Sequence, residues 1–541
     1  MASTRSYSLL LVVCSLLAAG LCGVAGSTWS DRLSSHRGFY QVTATPNAPS
    51  PPLALPRTRR TVVVVLDGLS YRDAQGLGAL ESLAASGQCR KTYVGSMSMS
   101  RPMYAVISTG LEADRTGSRG NDDTSPLAAE SIWDVAQQAG LSVSAVSELP
   151  WWHELFPRGF SRYDVRPRPE NYFAQMVPAD VQLVHTVYID ETAHDFGARS
   201  PEFQAAVRRA DRELWGLLGT LDLSRDLLLV TADHGHSLRG GHGGQQERVA
   251  HVQTCFAGPR VQRRGTGGTL RSTSIAPALA VLLGLRFPAQ LRAGAGPGGL
   301  PDDELEVLWQ IVDPAGFPPG YLDQRRAELE RFRAENRQQL LRWLPQSDGT
   351  WTAFYEHAQR QQARRWLLCA AAVGLVLALQ AAAQLRLLRA HKKRWPVLQA
   401  LLSVGWLGSV WALGFGLQVL LRGSFDLTST NHREEFIHFT CALGALCGTT
   451  AVLVHIAWRR SLRALMLDLS ALLGTSALAA AAHPFVLGWK LGFPIPRPEL
   501  MFFPYFAALF VGCLAGLGVA VALIGWVHGE PRRRRPLPTA P

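Results

Sequence analysis

The sequence predicts an α/β domain with a mostly parallel sheet flanked by helices, followed by an all-α membrane domain of about five transmembrane helices. Two observations predict the first part. Strand-like apolar runs alternate with helical stretches, and the first run, Thr61–Leu66, is continuous and β-branched, which is typical of a parallel strand buried on both faces. The second part rests on five long apolar segments that follow Trp366.

Four strands and three helices are predicted within the α/β domain. The strands cover 61–66, 142–146, 181–189 and 227–230, and the helices cover 73–86, 127–139 and 201–220. We assign residues 61–300 to this domain. A segment rich in Ser, Pro and Thr, residues 27–60, is predicted to be a linker, and the charged segment 301–365 a helical connector to the membrane.

The five apolar segments are each long enough to cross a hydrocarbon core of about 30 Å. They cover 366–388, 396–421, 436–458, 464–487 and 501–528, within a membrane domain of residues 366–528. Basic clusters at 389–394, 459–463 and in the tail, 529–541, alternate with loops that carry few basic residues. This bias places the tail in the cytoplasm and the α/β domain outside it. Because much of the net charge of +12 lies beside these segments, no nucleic-acid binding is expected.

The first 26 residues have the order of a signal peptide: Arg5, an apolar run at 9–21, then small residues. The alternative is an uncleaved anchor helix. A signal peptide predicts the same orientation as the charged loops. Only Cys89 and Cys255 then lie in the exported part, where they could pair in an oxidising compartment, although the sequence does not fix their separation.

Acidic and histidine side chains follow the predicted strands. Asp67 follows the first strand and Asp190, with His194, the third; Asp233-His234 follows the fourth, and His242 lies in a Gly-rich turn beyond it. Ligand sites of open α/β sheets form at the carboxyl ends of strands, so we expect these side chains to converge. Carboxylate and imidazole ligands together suit zinc, and manganese or iron less distinctively. Four other histidines are interpreted as surface or structural residues: His153, His185, His236 and His251.

A serine-rich segment supplies candidate nucleophiles. Ser98 and Ser100 precede Pro102, and Thr109-Gly110 follows. A serine beside two divalent ions can be ionised and attack phosphorus, whereas a serine in a turn needs no function.

Together these segments resemble the alkaline phosphatase superfamily, and within it the nucleotide pyrophosphatase/phosphodiesterases and the ethanolamine phosphate transferases of glycolipid anchor synthesis. In those families a Thr or Ser stands two residues before a Pro, and a Thr-Gly follows. The resemblance therefore selects Ser100 over Ser96 and Ser98 as nucleophile, and it matches Asn121 to the family's asparagine, which holds a phosphoryl oxygen. One departure, Ala193 where the phosphodiesterases usually have Gly, replaces one small residue with another.

The resemblance also implies two divalent metal ions, zinc as the first choice and manganese as the second. Asp190, His194 and His242 would hold one ion. The other would be held by Asp67, Asp233, His234 and the Ser100 oxygen.

The function expected from this resemblance is a membrane-anchored two-metal phosphodiesterase or phosphotransferase that acts outside the cytoplasmic membrane through a phosphoseryl intermediate. Its partners would be membrane lipids and a phosphate ester, such as a lipid headgroup or envelope glycan. The alternatives are a broad-specificity phosphatase, a sulfatase, and an inactive scaffold or transporter. Sulfatases usually have Arg at the position of Tyr104 and a second Asp at that of Gly68.

Four polar residues of the membrane segments are candidates for a headgroup or proton role: His438, His455, Asp468 and His483. The alternative is that they lie near the interface or satisfy one another.

Overall fold

A computed structural model describes residues 4–34, 54–343, 396–423, 433–459, 461–487 and 499–528. Within the second range, residues 96, 119, 122–123, 168–170, 172, 264–267 and 292–306 are not described. The apolar segment predicted at 366–388 is described only at isolated positions. The basic tail, much of the predicted linker and the end of the connector lie outside the described residues.

The α/β domain is built on an eight-stranded sheet. Its strands are β1 (Thr61–Leu66), β2 (Gln88–Tyr93), β3 (Val143–Ser147), β4 (Arg162–Val165), β5 (Val181–Thr186), β6 (Leu227–Thr231), β7 (His251–Ala257) and β8 (Leu270–Arg271). They lie in the order β4-β3-β5-β1-β6-β7-β2-β8. The first five are parallel, and β7 is antiparallel to both of its neighbours. The predicted α/β class with a mostly parallel sheet is confirmed.

Helices cover both faces of the sheet. They are α2 (Tyr71–Ala74), α3 (Gly78–Ser86), α4 (Ser100–Thr109), α5 (Ala113–Thr116), α6 (Ile132–Gln138), α7 (Trp151–Leu155), α8 (Tyr188–Phe196), α9 (Pro201–Leu218), α10 (Glu247–Ala250), α11 (Ile275–Leu283) and α12 (Tyr321–Trp343). A separate N-terminal helix, α1 (Thr4–Ser34), precedes the domain. In β1, Val63 and Val65 pack into one core, and Val62 and Val64 into a second core on the opposite face. This two-sided burial explains why the strand is apolar at every position.

Strand β5 is shorter than the predicted strand at 181–189. It ends at Thr186, and α8 begins at Tyr188. Asp190 and His194 therefore lie four residues apart on a helix, a spacing that puts both on one helical face. The sequence analysis did not predict β2, β4, β7 or β8.

The core of the domain continues beyond residue 300. Leu308 and Ile311 are buried in the same core as α11, and so are Leu329 and Phe332 of α12. The first part of the segment predicted as a connector thus packs as part of the α/β domain. Leu55, in the predicted linker, is also buried there.

A disulfide joins Cys89 of β2 to Cys255 of β7, which are directly paired in the antiparallel register. It crosslinks positions 166 residues apart in the chain. This pairing is one of the possibilities that the sequence left open.

Among the residues that the structure describes, four long apolar helices follow the α/β domain: α13 (Pro396–Arg422), α14 (Arg433–Arg459), α15 (Leu462–Leu487) and α16 (Glu499–Val527). Within the described residues, four segments are long and apolar enough to cross a membrane. They lie in α1, α13, α14 and α16 and cover Thr4–Val24, Leu401–Arg422, Glu434–Trp458 and Tyr505–Val527. The helical membrane domain is thus confirmed, with a span count close to the predicted five.

Helix α1 packs against α15 and α16 and continues past residue 26. A Cβ added at Gly518 would lie 2.5 Å from Ser15 Oγ, so the glycine lets the two helices approach closely.

Two of the polar residues noted in the membrane segments contact each other. His455 Nε2 lies 2.7 Å from Asp468 Oδ2, and both side chains are buried. Mutual hydrogen bonding therefore accounts for these two residues. The side chain of His483 lies outside what the structure describes.

Candidate metal centre

The candidate site forms at the carboxyl ends of three adjacent strands. Asp67 directly follows β1, Asp190 lies just beyond β5 on α8, and Asp233 follows β6. Because β5, β1 and β6 are neighbours and parallel, their ends meet at one edge of the sheet. The loop after β6 adds His242, and the first turn of α4 adds Ser100.

Ligand atoms gather in three overlapping groups, each with all its atoms within 4.8 Å of one another. The groups are Asp190, His194 and His236; Asp190, His234 and His242; and Asp67, Asp233 and His234. Every one of these residues is buried except His194, which is partly buried. The arrangement can hold metal ions.

The residues predicted to hold the first ion lie together. Asp190 Oδ1 is 3.6 Å from His194 Nε2 and 3.8 Å from His242 Nε2, and the two Nε2 atoms are 3.1 Å apart. Ligand atoms on a tetrahedral zinc, each about 2.0–2.1 Å from the ion, lie about 3.3 Å from one another. The spacing therefore fits a common ion.

The residues predicted to hold the second ion also lie together. His234 Nε2 is 3.5 Å from Asp67 Oδ1, 3.4 Å from Asp233 Oδ2 and 3.3 Å from Ser100 Oγ. One imidazole nitrogen thus faces two carboxylates and the candidate nucleophile.

Three carboxylate oxygens of this centre are buried and have no hydrogen-bond partner among the described residues. They are Asp67 Oδ1, Asp190 Oδ1 and Asp233 Oδ2. Charged oxygens buried in this way are unstable unless a cation or a proton compensates them. The donor set therefore fits divalent cations.

The pKa shifts of three residues in the centre agree with binding of divalent cations. Burial raises the pKa of Asp233 well above its usual range, and the nearby carboxylates of Asp67 and Asp190 raise it further. Burial lowers the pKa of His234 to about 4, and burial also holds the pKa of His242 well below its usual value. Both imidazoles are therefore neutral at pH 7, as metal ligands must be.

Outer partners orient the carboxylate of Asp67. Its Oδ2 accepts a hydrogen bond from the Tyr104 hydroxyl and lies 3.1 Å from His185 Nε2, while His185 Nδ1 lies 2.8 Å from Ser147 Oγ. These contacts leave Oδ1 facing the centre. His185, interpreted from sequence as structural, supports a candidate ligand, as outer partners of metal sites commonly do.

The structure separates the roles of Ser98 and Ser100. The Ser98 hydroxyl donates to the carbonyl of Gly244 and accepts from the N–H of Gly243, and the Ser98 carbonyl lies 2.9 Å from His242 Nδ1. Ser98 thus holds the loop that carries His242. Ser100, by contrast, directs its hydroxyl at His234. Ser96 lies outside the described residues.

Asn121 lies beside the candidate nucleophile. Its Oδ1 accepts a hydrogen bond of 3.1 Å from the backbone N–H of Arg101, the residue after Ser100. The two N–H groups of the Asn121 amide lie on the other side of that amide from Oδ1. The Arg101 side chain pairs with Glu154 and lies over the ring of Trp151.

Sequence reasoning missed one member of the centre. His236, interpreted as a surface or structural residue, is fully buried with Nε2 2.9 Å from Asp190 Oδ1. The sequence feature that could have indicated His236 as a ligand is its position two residues after His234, in the segment that follows β6. His153 is exposed, and His251 lies on β7, with Nδ1 near the carbonyl of Glu247.

Comparison with known proteins places this domain in context. Residues 61–277 match the family model of type I phosphodiesterases / nucleotide pyrophosphatases. The catalytic subunit of GPI ethanolamine phosphate transferase 3 from Mus musculus is 22% identical over 273 residues, which are 43% of this chain and 25% of the mouse protein. The human protein of that name is 28% identical over 156 residues, 25% of this chain and 14% of the relative. The chain thus spans a quarter or less of these relatives.

Among solved structures, murine ectonucleotide pyrophosphatase / phosphodiesterase 5 is 15% identical, with a TM-score of 0.35, and the alignment covers 42% of this chain and 96% of that one. The resemblance of residues 61–277 to the alkaline phosphatase superfamily is thus confirmed by the match to this family model. That domain is carried by an integral membrane protein whose relatives include ethanolamine phosphate transferases.

Proposed function

We propose that the protein transfers or hydrolyses phosphodiesters at a two-metal site, with Ser100 as the nucleophile. The observation that carries this proposal is the position of the Ser100 hydroxyl. It lies 3.3 Å from His234 Nε2, the atom that also faces Asp67 and Asp233. A serine held among buried ligands at the end of a parallel sheet is the arrangement that nucleophilic attack on phosphorus needs.

The residues of the chain would divide the work as follows. Asp190, His194 and His242 would hold one divalent ion, and Asp67, Asp233 and His234 the other, beside Ser100. When bound, such ions, zinc or manganese, supply Lewis-acid stabilisation of the attacking and leaving oxygens. Ser100 would lose its proton to solvent and its oxygen would attack phosphorus in line, so that a phosphoseryl bond forms as the bond to the leaving alkoxide breaks. The alkoxide would take up a proton from solvent and leave as an alcohol. Water or an acceptor hydroxyl then attacks the phosphoserine and releases Ser100.

Two further groups would stabilise the phosphoryl group during these steps. Because Asn121 Oδ1 is engaged by the Arg101 N–H, its amide N–H groups are the end that can donate to an equatorial phosphoryl oxygen. The second group is the backbone N–H of Ser100, the first residue of α4, because in that turn the Arg101 N–H bonds to Asn121, the Met103 N–H bonds to the carbonyl of Met99, and Pro102 has no N–H.

The substrate would be a lipid headgroup or envelope glycan phosphodiester, met on the extracytoplasmic side of a membrane. The long apolar helices keep the domain at a bilayer. The Cys89–Cys255 disulfide supports an oxidising compartment, and the basic clusters support a cytoplasmic C-terminus. The curated relatives are named as ethanolamine phosphate transferases, which favours transfer to an acceptor hydroxyl over hydrolysis.

The ester preference can be tested with the full chain in detergent. Rates are measured on nitrophenyl esters of three kinds: a phosphodiester, a phosphomonoester and a sulfate. We expect the phosphodiester to react fastest. A higher monoester rate would indicate a broad phosphatase, a higher sulfate rate a sulfatase, and no turnover of any ester an inactive scaffold.

The role of Ser100 can be tested in the same assay. Ser100→Ala should lower turnover by about 10³-fold or more while both metals stay bound, because only the nucleophile is lost. Ser86→Ala, in α3, is the matched control and should have no effect, since that hydroxyl bonds only to its own helix turn. Near-wild-type turnover by Ser100→Ala would contradict the proposal.

A further inference from the structure

His236 was interpreted from sequence as a surface or structural residue, but it is fully buried beside Asp190, a predicted ligand of the first ion. Its Nε2 is 2.9 Å from Asp190 Oδ1, yet neither atom has a hydrogen-bond partner within the described part of the chain. Both atoms are buried. Two buried polar atoms that lie this close without a hydrogen bond need a cation or a proton between or beside them.

The other ring nitrogen orients the imidazole. His236 Nδ1 makes a short hydrogen bond with the backbone carbonyl of Gly240, and a carbonyl can only accept, so Nδ1 carries a hydrogen. This bond directs Nε2 at the carboxylate of Asp190. Metal-ligating histidines commonly donate their other ring N–H to a backbone carbonyl in this way.

The backbone around His236 is shaped to admit the ring. Gly68, the residue after Asp67, has φ +80°, and a Cβ there would lie 2.6 Å from His236 Nε2 and 2.9 Å from the Cα of Asp190. Any larger residue at position 68 would therefore displace the imidazole. The chain thus holds Nε2 of His236 against the ligands of the first ion with little freedom to move.

We propose that His236 is a fourth protein ligand of the first metal ion, beside Asp190, His194 and His242. The rings of His194 and His236 lie 5.1 Å apart, and those of His236 and His242 lie 5.3 Å apart. Asp190, His194 and His236 bring one ligand atom each within 4.8 Å of the others. This inference rests on the proposed two-metal function and adds a ligand to it.

A fourth protein ligand changes the character of the ion. Catalytic zinc sites usually have three protein ligands and an open position, whereas sites with four are closed. The first ion would therefore be bound more tightly than three ligands allow.

His236→Leu tests the proposal because it replaces the imidazole with an apolar side chain that offers no ligand atom. The full chain in detergent is loaded with Co²⁺ for visible absorption, and zinc affinity is measured by competition with a chelator. We expect one of the two ions to bind more weakly by over about 100-fold, beyond the 10–100-fold typical of outer partners. The Co²⁺ spectrum of that ion should also change.

His251→Leu is the matched control. His251 also has its Nδ1 beside a backbone carbonyl, 3.0 Å from that of Glu247, but it lies outside the centre, so its variant should retain the wild-type affinity and spectrum. As a second variant, His236→Ala leaves a cavity beside Gly68. Free imidazole added to it should restore the Co²⁺ spectrum.

Loss of affinity of no more than about 100-fold, with an unchanged Co²⁺ spectrum, would overturn the proposal and leave His236 as an outer neighbour of Asp190. A wild type that binds no metal would overturn both this inference and the proposed function. Metal binding that depends on His236 without cleavage of any ester would contradict the proposed function alone.

Discussion

The two halves of the candidate centre differ in the ligands they offer. The first half, Asp190 with the imidazoles near it, has one carboxylate. The second half has the two carboxylates of Asp67 and Asp233, one imidazole, and the candidate nucleophile Ser100. Imidazole-rich sites suit zinc, whereas carboxylate-rich sites also accept manganese. Within the proposed two-metal function, this difference would let one centre hold an imidazole-bound ion tightly and place a second ion beside the nucleophile.

The halves also differ in how the chain positions them. The ligands of the first half come from helix α8 and from the loop after β6. The ligands of the second half come directly from the ends of β1 and β6, and Tyr104 and His185 hold Asp67 from behind. If the halves are separate sites, variants should empty one of them without emptying the other.

The largest effect should come from removing a ligand of either half. Asp67→Ala should abolish turnover and release the second ion, because its Oδ1 faces His234. His242→Ala should abolish turnover and release the first ion. The metal content of each purified variant, measured by mass spectrometry, should fall from two ions per chain to one. If either variant lost both ions, the two halves would be a single shared site.

A smaller effect should come from Tyr104→Phe, which removes the hydroxyl that donates to Asp67 Oδ2. We expect the second ion to bind about 10–100-fold more weakly and the first to be unchanged, because only the second half loses an outer partner. Chelator competition measures both affinities. Tyr163→Phe is the matched control, since its hydroxyl bonds to the carbonyl of Leu149. Equal weakening of both ions would contradict the distinction between the halves.

Much of the centre could be predicted because its residues follow strands that the sequence shows clearly. The apolar runs of β1, β5 and β6 are buried on both faces, so Asp67 and Asp233 stand out where each run ends. The family resemblance then selected Ser100. In the structure, the Ser98 hydroxyl bonds to the loop that carries His242.

The rest depends on contacts that no short pattern reveals. His236 enters the centre through a loop conformation and through the space left by Gly68, and neither has a periodic signal. Strand β2 alternates buried and partly exposed residues, and its polar members, including Arg90, conceal it. The packing of Leu329 and Phe332 against α11 likewise arises between distant parts of the chain.

The central claim is that Ser100, held beside the second half, attacks phosphorus. The most direct test is to mix the full chain with a phosphodiester, quench in acid within one turnover, and map the peptides by mass spectrometry. The account predicts a phosphoryl or phosphodiester adduct on Ser100 of the wild type, and none in Ser100→Ala. An adduct on another residue, or turnover without any adduct on Ser100, would contradict it.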